Sequence, residues 1–142
     1  MKKLLLLAVL LGLTVAASSS CARYRKFTET RAVIRVMEKR QTAIWGFIGI
    51  TKANPTIDDV DKVLRAHAGR PTPKVEELGK VLEVIDVSGC PSEFKSAWND
   101  YIGVMMHAEK FPSPLAHGIA LREANDRLAA AARDAGATPP FR

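Results

Sequence analysis

The block DVSGCPSEFKSAWNDYIGVMMHAEKF, residues 86–111, constrains the fold more than any other stretch of this chain. Phe94, Trp98, Ile102 and Met105 recur at intervals of three and four, which places them on one face of a helix with Ala97, Tyr101 and Ala108 beside them. Gly89 breaks the chain before this run. Pro91 suits a first helical turn, where a missing N–H costs no hydrogen bond.

The flanking segments have the same period. From Thr28 to about Ile50, Val33, Met37, Ile44 and Ile48 form one stripe and Arg31, Arg35 and Lys39 another, with Gly46 and Gly49 weakening the last turns. In NPTIDDVDKVLRAHAG, Thr56 and Asp59 complete a capping box, Ile57, Val60 and Leu64 face inward, and Gly69 stops the helix. A third helix is expected in RPTPKVEELGKVLEVID, capped by Thr72, with Val75, Leu78, Leu82 and Ile85 inward. Its β-branched tail VLEVIDV has strand character, but with no partner strand evident it is read as helix. Ser113 and Pro114 open a last helix ending at Gly136, with Leu121, Leu128 and Ala132 on its inner side. The expectation is an all-α fold, a bundle of four or five helices over residues 28–136, with a disordered tail at 137–142.

Acid-to-base pairs four apart, Asp58 with Lys62, Asp61 with Arg65, Glu76 with Lys80 and Glu123 with Arg127, account for much of the charge as helix surface. The remaining charge is uneven. Residues 21–40 hold seven basic and two acidic residues, a net of +5, whereas residues 41–142 are close to neutral. A basic block of this kind suits anionic head groups, at about 1 kcal/mol per close cation. A solvated helix face is the simpler account of it. Neither the near-neutral remainder nor the N-terminal segment fits nucleic-acid binding.

That segment begins with Lys2 and Lys3 and continues as an unbroken apolar run over residues 4–16 that gives way to small residues, the layout of a secretory signal. At about 1.5 Å per residue the run spans ~20 Å, short of the ~30 Å hydrocarbon layer. Residues 1–20 are therefore read as a signal peptide and residues 21–27 as a basic tether. Two cleavage readings compete. A cut after Ala17 releases a soluble chain. Alternatively, SSSC resembles a degenerate bacterial lipobox, with Ser18 where Leu is usual, and that resemblance implies acylation of Cys21 as the new N-terminus. An uncleaved anchor is the third reading, because Arg23, Arg25 and Lys26 follow the apolar run closely.

Cys21 and Cys90 have coupled fates. Unacylated, Cys21 can pair with Cys90 in an oxidising compartment; acylated, it leaves Cys90 single. Cys90 before a helix start has the setting of a lowered thiol pKa, but it has no resolving cysteine nearby. His107 and His117 lie ten apart across a proline-containing break, unlike a metal-ligating pair. His67 fits a helix C-terminus, and the cluster of Asp58, Asp59 and Asp61 fits a helix N-terminus. Met37, Met105, Met106, His107 and His117 are candidate haem ligands in principle, with no spacing that selects haem. No phosphate loop, nucleophile elbow or CxxCH is present in the sequence.

The sequence thus points to an exported cell-envelope protein without catalytic residues, metal or cofactor. On this reading it binds a membrane surface or envelope protein through Arg23, Arg25, Lys26, Arg31, Arg35 and Lys39. The alternative is a periplasmic redox or haem- or metal-binding bundle using Cys90 or His and Met ligands.

Overall fold

A computed structural model describes residues 2–50, 58 and 75–138, with side chains from residue 21 onward. Helix α1 is Lys2–Phe47, α2 Val75–Glu83, α3 Ser92–Met106 and α4 Pro114–Asp134, with a single 3-10 turn at Ala108–Lys110 between the last two. The described residues are all-α, and the four helices pack around one core.

The helix expected to begin at Thr28 instead begins at Lys2 and passes unbroken through residues 21–27. The physical reason is local: no glycine or proline stands between Gly12 and Gly46 to interrupt it. It stops through the left-handed conformation of Gly49 (φ 85°), which lets the Ile50 N–H reach back to the Trp45 carbonyl at 2.7 Å. Gly49 is therefore the stop signal, not part of the last turn, and Ile50 is buried beneath it.

Of the helix expected in NPTIDDVDKVLRAHAG only Asp58, helical and exposed, is among the described residues; the rest of it and the Thr72 cap lie outside them. Helix α2 ends at Glu83, so of the VLEVIDV tail expected to be helical only residues 81–83 are helix. The Ile85 N–H turns back to the Leu82 carbonyl at 3.0 Å, and the Asp86 carboxylate then accepts the Ser88 N–H at 2.9 Å. Side-chain capture of this kind competes with helix continuation. Leu82 is fully buried, Leu78 and Ile85 pack at the core's edge, and Val75 is more exposed than its place on the expected inner stripe implied. Glu76 and Lys80 close their ion pair at 3.2 Å on the surface.

On α3 the expected stripe is the core itself: Phe94, Ala97, Trp98, Tyr101, Ile102 and Met105 are buried, with Phe94 and Trp98 stacked at 6.3 Å between ring centroids. Ala108 is not part of it, since the helix ends at Met106 and Ala108 is exposed in the turn that follows. Pro91 stands just before the helix as its cap residue, and its carbonyl accepts the Lys95 N–H. Each large side chain removed from water here contributes about 1.5–3 kcal/mol.

Ser113 caps α4 by accepting the Ala116 N–H at 3.1 Å, with Pro114 in the first turn as expected. Ala124, Leu128 and Ala132 face inward, and the small alanines bring α4 close to its neighbours. At its end Gly136 takes φ 82°, its N–H reaches the Arg133 carbonyl, and the Ala137 N–H reaches that of Ala132. This double closure buries Ala137, which the sequence places in a tail, into the core. Thr30 donates to the Ala135 carbonyl at 2.6 Å, and Arg40 to the Asn125 side chain at 2.6 Å. These two links, ten residues apart on each helix, set α1 and α4 antiparallel.

Candidate functional site

Helix α1 carries two different faces between residues 21 and 40. Val33, Val36 and Met37 point into the bundle, and Arg40 lies half-buried on the same side. Arg23, Arg25, Lys26, Arg31, Arg35 and Lys39 are all exposed, as is Cys21. The structure therefore gathers Cys21 and the six surface cations named from sequence onto one helix. Cys90 lies apart from them, buried in the cluster that contains Phe94 and Trp98.

Two of the cations have local partners. Arg25 Nε contacts Glu29 Oε1 at 2.8 Å, which raises the Arg25 pKa above its ordinary value through that hydrogen bond and the charge of Glu29. Arg31 sits over the Phe27 ring at 5.5 Å, an arrangement in which the ring's quadrupole attracts the cation. Phe27 and its neighbour Tyr24 are 58% and 71% exposed, large apolar surfaces presented to solvent among the charges. The aromatic character of this segment was missed in sequence, where the charges dominated; Tyr24 and Phe27 between Arg23, Arg25, Lys26 and Arg31 were its signal. Beside it, a groove of about 460 Å³ is lined in part by Ala22, Arg25, Lys26, Glu93, Phe94 and Asp134, so its charge is mixed.

Both thiols are free, Cys21 exposed and Cys90 buried. Burial pushes the Cys90 thiol pKa up, against the lowering that a helix start suggests, with Lys95 opposing and Asp86 adding to the rise. Its thiolate is correspondingly disfavoured at neutral pH.

The haem- or metal-ligand candidates are dispersed. Met37 and Met105 are core residues and Met106 is at the core's edge. His107 is exposed and bonded through Nδ1 to Glu109 at 3.0 Å, and this contact, after the Glu109 backbone N–H, helps lower the Glu109 pKa. His117 Nε2 lies 2.7 Å from the Val104 carbonyl, which can only accept, so that nitrogen carries a hydrogen. His67, Asp59 and Asp61 fall outside the described residues. Among the described residues no group of three or more His, Cys, Asp or Glu side chains converges.

Sequence reasoning also missed Arg40 as a structural tie. Its guanidinium bonds the Tyr101 hydroxyl and the Asn125 side chain, while its buried Nε has no hydrogen-bond partner among the described residues. In sequence it reads as one more cation of the basic block.

No known protein family, curated protein or solved structure matches this chain.

Proposed function

We propose that this is a small exported cell-envelope protein. In this reading residues 1–20 are a signal peptide, Cys21 is the lipid-attachment site of the mature chain, and the helical bundle acts as a non-enzymatic binding or structural module at a membrane surface or envelope protein. The observation that carries the reading is the composition and exposure of α1. One helix joins the apolar run of residues 4–16, an exposed cysteine, six exposed cations and the packing stripe of the bundle.

The chemistry is additive. Acyl chains contribute about 0.8 kcal/mol per buried methylene, and stable attachment takes a second signal beside a single chain. A basic segment next to the acylated residue supplies one at about 1 kcal/mol per close cation. An exposed Cys21 is reachable by a modifying enzyme, as acylation requires.

Export is tested by fusing to residue 142 a reporter enzyme that folds only in an oxidising, extracytoplasmic compartment. Activity is expected with the intact chain and is expected to be lost when Leu6 and Leu10 are both changed to Arg. Activity lacking in the intact fusion, with the fusion protein present at full length, would refute export.

A further inference from the structure

We propose that α1 lies along an anionic phospholipid bilayer over residues 21–39, so that the bundle sits side-on against the membrane instead of standing off from it on a tether. The inference rests on the envelope reading above and specifies the surface and orientation by which it operates.

Cys21, Tyr24, Thr28, Arg31 and Arg35 follow one another at intervals of three and four, one continuous stripe of a helix. All five are exposed, and the stripe runs on the side of α1 away from Val33, Val36 and Met37. Phe27 and Ile34 flank it, also exposed. A lipid attached at Cys21 would therefore emerge from the same side as Tyr24, Arg31 and Arg35. From residue 21 to residue 35 the stripe is about 21 Å long at the usual rise, enough to lay much of one bundle edge on a surface. Because α1 is a continuous helix held in the core by Val33, Val36 and Met37, residues 21–27 cannot swing as a loose leash without breaking it.

The occupant follows from complementarity. Six cations face two acids over these residues; Glu29 is paired with Arg25, and Glu38 forms no ion pair among the described residues. The rest of the chain is nearly neutral, so the positive charge is concentrated on α1; Arg31 and Arg35 lie on the stripe, whereas Arg25 and Lys26 line the groove toward Glu93 and Asp134. Exposed aromatic rings amid cations suit the head-group layer, where amphipathic and aromatic side chains settle beside phosphates. An acidic protein surface would use the charges but has no comparable use for Tyr24 and Phe27 next to an acylated cysteine.

The test is hydroxyl-radical footprinting of the membrane-extracted protein reconstituted in vesicles. Vesicles of phosphatidylcholine with about 30% phosphatidylglycerol are compared with pure phosphatidylcholine; the anionic fraction supplies the attraction in question. Oxidation of Tyr24 and Phe27 is expected to fall severalfold on the anionic vesicles only, while Leu115, exposed on α4, stays unchanged. The Arg31→Glu/Arg35→Glu variant is expected to lose the protection, since each cation neutralised weakens contact about fivefold. Vesicle-bound protein with Tyr24 and Phe27 still reactive would overturn the side-on placement and leave the envelope reading standing. Equal protection on both lipids would overturn the role of charge. Protection seen only in intact host membranes would assign the stripe to an envelope protein, and protection that fades as the protein is diluted in lipid would assign it to a second copy. Failure to associate with either vesicle would overturn both the side-on placement and the lipid attachment at Cys21, while export itself stands or falls on the reporter fusion.

Discussion

Arg40 lies over the ring of Tyr101, its guanidinium carbon 4.7 Å from the ring centroid, and donates from Nη2 to the Tyr101 hydroxyl at 2.9 Å. The same nitrogen reaches Asn125 at 2.6 Å, so one side chain ties α1 to both α3 and α4. Removing the hydroxyl alone, as Tyr101→Phe, is expected to cost about 1 kcal/mol. Arg40→Leu is expected to cost about 2 kcal/mol or more, because it leaves both partners without their donor. Arg40→Lys is not expected to rescue it, since an ammonium lacks the planar fork that lies over the ring while it bonds. Urea denaturation of the three variants measures the order; equal midpoints for Arg40→Leu and the parent would show the tie to be energetically idle.

Gly136 closes α4 at φ 82°, with the Thr30 side chain 3.5 Å from where a Cβ would stand. Gly136→Ala is therefore expected to lower stability by about 1–2 kcal/mol, the cost of a left-handed non-glycine residue. A thermal melt reads this as a fall of several degrees. An unchanged melting temperature would mean that the closure which buries Ala137 does not hold the end of the helix.

The buried Cys90 thiol links stability to pH. Its folded pKa is raised, so the folded state holds the proton more tightly than the unfolded chain does, whose cysteine titrates near ~8.5. The stability associated with this proton is complete below that unfolded value and is lost as pH rises from there through the raised folded value. Denaturation midpoints from pH 7 to 10 are expected to fall less in Cys90→Ala than in the parent. In the chain left unacylated at Cys21 by the Leu6→Arg/Leu10→Arg change, thiol labelling at pH 7 is expected to mark the exposed Cys21 rapidly and Cys90 only after unfolding. Equal labelling rates in the folded protein would contradict the burial.

The helices that are legible in sequence are those whose partners are other large apolar residues. Phe94, Trp98, Ile102 and Met105 announce their face because nothing but burial accounts for four such side chains at that spacing, and Ser113 with Pro114 announces a helix start because capping chemistry is local. Boundaries set by backbone competition were less legible: α2 stops at Glu83 through the turn to Ile85, and no residue type in VLEVIDV marks that point. The start of α1 was misplaced for the opposite reason, since helix can continue through residues 21–27 without any stabilising pattern when no breaker intervenes. At the candidate site the exposed cations were readable from composition. Arg40 was not, because only the meeting of α1 with Tyr101 and Asn125 distinguishes it from its charged neighbours.

The measurement that bears most directly on the envelope reading is the intact mass of the mature protein recovered from membrane and soluble fractions of its native host. The account predicts a membrane-bound species that lacks residues 1–20 and begins at Cys21 with diacylglycerol on its sulfur. A soluble species that begins near Ser18 and is lighter by two protons would contradict it, replacing the lipid at Cys21 with a bond to Cys90.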